Sequence, residues 1–171
     1  MARLERGIEI ERKFVIEMPD LAVLVGMPEY TVSDIEQTYL LSLQGVTHRV
    51  RSRRYGTDVH YFETKKTRID KMSVIEEEAE ITEAEYKRLL LLIDPDTRTL
   101  RKTRHTFFYE GLTVEIDIYP EWSSTAILEC ELPSRERNIS LPDFIKIVKE
   151  VTGEFGYSNA AMSHSFPEEL I

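Results

Sequence analysis

Charged residues alternate with apolar residues along most of this chain, and the acidic strands and the basic strands are largely separate. Residues 8–14 read IEIERKF, which places Glu9 and Glu11 on one face of a strand and Ile8 and Ile10 on the other. One exposed strand could carry such a face in contact with water. The repetition constrains the fold more strongly, because a solvent-exposed sheet has no need to sort its strands by charge.

Tight turns at dipeptides such as Gln44-Gly45 and Glu110-Gly111 separate most of the predicted strands. The eight strands are predicted at 7–16, 31–43, 46–55, 59–67, 74–82, 97–109, 112–119 and 126–132. Helices are predicted at 21–25, 83–93 and 141–151, with a last helical turn after Ser158. Successive strands joined by turns favour an antiparallel sheet or barrel, and we assign an α+β fold and a single domain, 1–171.

Closure of such a sheet leaves two arrangements. The apolar faces could point inward and leave the charges in water, or the charges could line an interior tunnel with helices covering the outside. The predicted helices at 83–93 and 141–151 could serve as covers. The acidic strands (7–16, 74–82, 112–119, 126–132) are also separate from the basic ones (46–55, 97–109). Both observations favour the tunnel, although a plain charged-surface barrel stays open.

Composition narrows the classes of partner. The net charge of −9 over 171 residues argues against nucleic acid as a general partner. Cys130 is the only cysteine, so no disulfide can form within the chain and a reducing compartment is expected. The charged N-terminus has no apolar signal core, and no apolar run reaches the about 20 residues needed to cross a bilayer. We therefore expect a cytoplasmic protein without a membrane partner.

A tunnel with this many charges must bind ions, because an unpaired buried charge is too costly. Carboxylate oxygens select hard divalent cations such as Mg²⁺ or Mn²⁺. Arginine binds phosphate oxygens in a bidentate manner, so the basic strands would suit a polyanion. Together these groups are the ingredients for transfer of a phosphoryl group to water.

A series of short motifs resembles the CYTH domains, also called the triphosphate tunnel metalloenzymes. The run from Glu9 to Lys13 resembles the E-x-E-x-K signature that opens these domains. The other matching segments are Gln37-Thr38-Tyr39-Leu40, Arg49-Val50-Arg51, Thr64-Lys65-Lys66, Glu78-Ala79-Glu80-Ile81, Lys102-Thr103-Arg104, Glu115-Ile116-Asp117, Glu129-Cys130-Glu131 and, at the end, Glu150 to Gly153 followed by Tyr157-Ser158-Asn159. The resemblance extends over residues 8–164.

This resemblance implies an eight-stranded antiparallel tunnel that hydrolyses a small-molecule triphosphate with Mg²⁺ or Mn²⁺. By position, the metal ligands would be Glu9, Glu11, Asp117, Glu129 and Glu131. The phosphate-binding group would be Arg49, Arg51, Lys66, Lys102 and Arg104, with Glu78 and Glu80 orienting them or sharing in metal and water binding. Lys13 would touch a phosphate or hold the carboxylates, and Tyr39 would position the attacking water or accept its proton, unless it is a packing tyrosine.

The sequence departs from the family pattern just before Tyr157, where relatives often carry a basic residue and this chain has Glu154-Phe155-Gly156. That departure bears on how the terminal phosphate is held. The main expectation is hydrolysis of inorganic triphosphate to pyrophosphate and phosphate. Alternatives are an adenylate cyclase, a thiamine or nucleoside triphosphatase on the same tunnel, and a non-catalytic polyphosphate-binding module. An exposed sheet face leaves a homodimer open.

Overall fold

Nine antiparallel strands form one continuous sheet in the computed structural model, which describes residues 4–171. The strands are β1 (Leu4–Glu17), β2 (Thr31–Tyr39), β3 (Val46–Tyr55), β4 (Asp58–Arg68), β5 (Ser73–Ile81), β6 (Leu100–Tyr109), β7 (Leu112–Ile118), β8 (Thr125–Glu131) and β9 (Ile147–Glu150). All eight predicted strands are present. The second ends earlier than expected, at Tyr39, and the sixth begins later, at Leu100.

The sheet closes on itself because β1 is long enough to pair with two different strands, one along each half of its length. Its first half pairs with β5 from Leu4 to Ile10, and its second half pairs with β8 from Glu11 to Glu17. The ring order is therefore β1-β5-β4-β3-β2-β6-β7-β8. The predicted eight-stranded antiparallel barrel is confirmed. In this ring β3 lies opposite β8, four strands away in either direction.

The helices are short: α1 (Leu21–Val25), α2 (Glu83–Leu89) and α3 (Asn159–His164), with 3₁₀ turns at Leu90–Leu92 and Phe155–Tyr157. Each α-helix has a polar N-cap, and Thr82 accepts a hydrogen bond from the Glu85 backbone at the start of α2. The helix predicted at 141–151 is wrong. Pro142 suggested a helix start, but β9 pairs there with Phe14–Ile16, the edge that β1 exposes after it leaves β5.

Apolar side chains pack on two separate parts of the outer surface of the barrel and at one of its ends. One cluster covers the outside of β1, β7 and β8, where Leu24 of α1 and Ile145 are buried. A second lies under α2 and contains Val50 and Tyr86. A third closes part of one tunnel end, where Trp122 and Met162 pack on inward-facing residues. The charged faces of the strands are thus left to line the interior.

Within residues 4–171, no helix is long and apolar enough to cross a membrane. The predicted single domain 1–171 and the charged start of the chain both include residues 1–3, which lie outside the described residues.

Candidate active site

A cavity of about 500 Å³ runs through the barrel and is lined by the inward faces of its strands. Seven of the lining residues are glutamates: Glu9, Glu11, Glu76, Glu78, Glu115, Glu129 and Glu131. Seven are Lys or Arg: Lys13, Arg49, Arg51, Arg53, Lys66, Arg68 and Arg104. Strand alternation and register bring these groups together, since Glu11 lies directly opposite Glu131, and Lys66 opposite Glu76.

The basic wall of the cavity is β3, with Arg49, Arg51 and Arg53 along its inward face. Arg49 and Arg51 are each only 8% exposed, and the Nε atom of each is buried without a hydrogen-bond partner. Burial, together with the nearby charge of Arg49, lowers the pKa of Arg51 to about 10 although Glu78 opposes the shift. A buried, unmet donor costs about 1–3 kcal/mol. These arginines are therefore suited to an anionic acceptor in the cavity.

The acidic wall lies opposite, on β1 and β8. Burial raises the pKa of Glu9 to about 8; Glu76 adds to the shift and Lys66 opposes it. Burial and the neighbouring charge of Glu129 also raise the pKa of Glu11. A raised pKa means that the ionised form of the carboxylate is unfavourable in the cavity. A bound cation would stabilise that ionised form and replace the proton.

Two lysines lie among these carboxylates. Lys13 Nζ is 3.2 Å from Glu129 Oε1, and Lys66 Nζ is 3.4 Å from Glu9 and 3.1 Å from Glu76. Although burial alone would raise it, Lys13 and Arg104 hold the pKa of Glu129 at about 2. Among residues 4–171, no three acidic, His or Cys side chains meet as a preformed metal cluster. The donor type fits Mg²⁺ or Mn²⁺. A cation held by Glu9 or Glu129 would take the place of the lysine that is paired with that carboxylate.

Asp117 and Lys102 do not line the cavity but form a buried ion cluster with Arg104, which does line it. Each side chain is 1% exposed, and Lys102 Nζ is 2.8 Å from Asp117 Oδ2. Arg104 donates to both Asp117 oxygens at 2.7 and 2.8 Å, and to Glu115 at 2.8 Å. Asp117 therefore holds Arg104 against the cavity. Its expected role as a metal ligand, and that of Lys102 in phosphate binding, stay predictions.

Tyr39 and the carboxylates of β5 occupy different depths of the tunnel. Tyr39 is 6% exposed, and its hydroxyl accepts a hydrogen bond from Gln37 at 3.3 Å. Glu78 accepts from Thr64 at 2.8 Å and is 3.4 Å from Arg51, so it orients the basic wall. Glu80 lies outside the cavity lining and bonds His60 at an exposed tunnel end, 2.7 Å away.

Four charged residues that line the cavity are not among the predicted site residues: Arg53, Arg68, Glu76 and Glu115. The alternation that selected Glu78 and Arg51 already included Glu76 and Arg53, two residues away on the same faces. No basic residue directly precedes Tyr157, but Lys13 Nζ donates to the Tyr157 carbonyl at 3.2 Å. Phe155 is instead exposed at this mouth of the tunnel.

No protein-family model and no curated protein matches this chain. Solved structures do. The inorganic triphosphatase NE1496 is 26% identical, with 94% of this chain and 97% of that chain covered at a TM-score of 0.57. The PH1819 protein from Pyrococcus horikoshii OT3 is 22% identical, with 74% and 80% covered and a TM-score of 0.58. HpAC1 from Hippeastrum, described with a dominant triphosphatase activity, is 14% identical, with 74% and 81% covered and a TM-score of 0.52.

Proposed function

This chain has the triphosphate tunnel fold of the CYTH proteins, and we propose that it is a divalent-metal-dependent enzyme that hydrolyses inorganic triphosphate to pyrophosphate and phosphate. The NE1496 structure, similar over nearly its whole length, carries the name of an inorganic triphosphatase. The proposal takes that activity to this chain because the cavity offers the two kinds of group that the reaction needs.

The observation that carries the proposal is that a basic wall and an acidic wall face each other across one cavity. Arg49 and Arg51 present buried Nε donors without a partner, and β8, opposite in the ring, presents Glu129 and Glu131. A phosphate chain between them would accept from the arginines on one side. On the other side, its remaining charge would face carboxylates that would repel it. Only a cation between phosphate and carboxylate makes that side favourable.

We propose Glu9, Glu11, Glu129 and Glu131 as the groups that would hold Mg²⁺ or Mn²⁺, because their oxygens share the acidic wall. The raised pKa values of Glu9, Glu11 and Glu131 mean that their charges are costly without a cation, whereas Lys13 and Arg104 already stabilise the charge of Glu129. When bound, a divalent ion neutralises phosphate charge and lowers the pKa of a bound water. We assign Asp117, also expected as a ligand, to the positioning of Arg104 on account of its paired oxygens.

The chain's own residues supply the rest of the mechanism. Arg49 and Arg51 would bind the phosphate oxygens and offset the charge that develops on the leaving group. Lys66, half-buried beside Glu9 and Glu76, would transfer its contacts from carboxylate to phosphate. Burial and Glu115 raise the pKa of Glu131, which suits it to accept the proton of an attacking water. Tyr39, beside Gln37, would help to orient Arg49, its partner residue on β3.

Phosphate release should be measured with Mg²⁺ and with Mn²⁺, offering inorganic triphosphate, ATP, thiamine triphosphate and pyrophosphate in parallel. We expect release from inorganic triphosphate, little from ATP, and none after chelation. Pyrophosphate appearing from ATP would indicate the cyclase instead. Faster release from ATP or thiamine triphosphate would indicate an organic triphosphatase, and binding of triphosphate without turnover would indicate a binding module.

A matched pair of variants tests the site. Glu131→Gln removes one carboxylate of the acidic wall and should abolish turnover, whereas Glu136→Gln, on the loop after β8, should leave it unchanged. Wild-type rates in the Glu131 variant would remove this residue from the site.

A further inference from the structure

The outward face of β1, β3, β4 and β5 is an uncovered part of the barrel surface. An open groove lies on this face, with an apolar floor, charged flanks and Leu43 of the β2–β3 loop at one end. Ile8 is 64% exposed and Leu43 is 82% exposed. The helix α2 packs beside this groove, in a cluster that contains Val50, Tyr61 and Ile81. Exposed apolar residues that adjoin on one face mark an interaction surface more often than scattered ones do.

The register of the strands arranges this face in two straight rows. Val46, Thr67, Ile75 and Ile8 are consecutive cross-strand neighbours and form the apolar row, in which Thr67 is the one polar residue. His48, Lys65, Glu77 and Arg6 form the second row, two residues away on each strand. The two central strands, β4 and β5, therefore carry an adjacent pair of opposite charges, Lys65 and Glu77, beside the pair Thr67 and Ile75.

The charges of the second row are not all paired within the described residues. Glu77 is 3.3 Å from Arg6, and His48 is 2.7 Å from Glu63. Lys65 is exposed and makes no ion pair with any residue in the described range 4–171. The row thus contains an exposed cation next to a carboxylate that is open to a further partner.

We propose that this face is the interface of a homodimer. A two-fold axis that runs parallel to the strands, between β4 and β5, exchanges those two strands between the copies. Lys65 of each copy then lies opposite Glu77 of the partner subunit, and Thr67 lies opposite Ile75 of the partner subunit. The same surface is used by both copies, as in the isologous interfaces that dominate soluble oligomers.

This self-complementarity is what selects a second copy over another occupant. Under the two-fold operation Lys65 meets Glu77 of the partner subunit, and the apolar row meets itself. His48, which is paired with Glu63 in its own chain, lies opposite Arg6 of the partner subunit at the edge of this face. A row of one charge sign would instead repel its copy, and would fit a partner of opposite sign. The tunnel residues point to the other side of the same strands, so the interface is independent of the proposed hydrolysis.

Sedimentation velocity tests the proposal on the full chain. The wild-type protein should sediment as a dimer of about 40 kDa, twice the 20.0 kDa of one chain. Lys65→Glu and Glu77→Lys should each weaken the dimer at least about tenfold, because each creates two like-charge contacts across the axis. Val25→Glu, on α1 at another side of the barrel, is the control and should leave the dimer intact.

Mixing the two charge variants separates contacts between chains from contacts within one chain. In a mixed dimer, the glutamate introduced at position 65 faces the lysine introduced at position 77, and Glu77 faces Lys65, so both contacts are again attractive. An equimolar mixture should therefore dimerise at wild-type concentration although neither variant does so alone. A monomeric wild-type protein, a dimer that survives both substitutions, or a mixture that stays monomeric would overturn the proposal. Melting curves of each variant confirm that it is folded.

Discussion

Asp117→Asn tests what the buried ion cluster beside the cavity contributes. Asp117 is 1% exposed and balances two buried cations, Lys102 at 2.8 Å and Arg104 at 2.7 Å. Removal of one partner from a buried pair costs about 3–5 kcal/mol, because the other charge stays desolvated. Lys102 can lose its proton, since burial already lowers its pKa to about 7 against the pull of Asp117. Arg104 cannot lose its proton, but it retains Glu115 as a partner.

The expected loss is therefore near the lower end of that range, about 3 kcal/mol near neutral pH, measured by urea denaturation. For a domain of this size, the melting temperature should fall by roughly 6–12 °C. The loss should grow as the pH falls below about 7. In the folded wild-type protein, Lys102 then gains a proton beside Asp117. In the folded variant, the pKa of Lys102 is lowered further and the amine stays neutral. The unfolded chain binds the proton in both cases, so a fall in pH favours unfolding of the variant more.

A second substitution and a surface control sharpen this test. Lys102→Met, added to Asp117→Asn, removes the buried amine, so it should restore part of the stability and remove the added pH dependence. Glu36→Gln breaks an ion pair with Arg101 whose side chains are 49% and 67% exposed, and it should cost less than about 1 kcal/mol. If Asp117→Asn costs no more than this control but lowers the affinity for Mn²⁺, the positioning role is refuted and the metal-ligand role is supported.

Three further predictions concern the cavity. Glu11→Gln should lower kcat at least about 100-fold while the melting temperature holds or rises, because the substitution removes a charge that burial and Glu129 oppose; phosphate release and calorimetry check both. Arg51→Ala should raise KM for inorganic triphosphate at least about tenfold, since a charge-assisted hydrogen bond contributes about 1.5–3 kcal/mol, and unchanged kinetics would remove Arg51 from the site. The affinity for Mn²⁺ should increase as the pH rises toward about 8, where the competing proton leaves Glu9; calorimetry in two buffers should show proton release, and Glu9→Gln should reduce it.

The barrel could be predicted because its strands are amphipathic and the turns between them are short. The third strand was located with the correct bounds, Val46–Tyr55, since both of its ends carry turn residues. The helix at 141–151 could not be distinguished from a strand, because Pro142 and the apolar residues after it fit both patterns. The pairing partner decided between them, and that partner, the free edge of β1, exists only after the barrel has closed.

The candidate site could be predicted as a set of inward faces, but not as a set of contacts. Alternation correctly places Glu11 and Arg51 in the interior, because the period of a strand does not depend on its neighbours. The depth of each group along the tunnel depends on strand register, which the sequence does not state. Register puts Asp117 opposite Arg104 and outside the cavity lining, whereas Glu80 emerges at an exposed end beside His60.

The balance of charge in the cavity predicts a coupling between its two ligands. Seven glutamates line it beside seven basic residues, although the chain as a whole has a net charge of −9. A phosphate chain bound alone would pair with the arginines of β3 but leave the lysines engaged with carboxylates. A divalent cation bound alone would have to displace Lys13 and Lys66 into a cavity without an anion for them. When both bind, the cation takes the carboxylates and the released lysines meet the phosphates, so each ligand should increase the affinity for the other by the same factor.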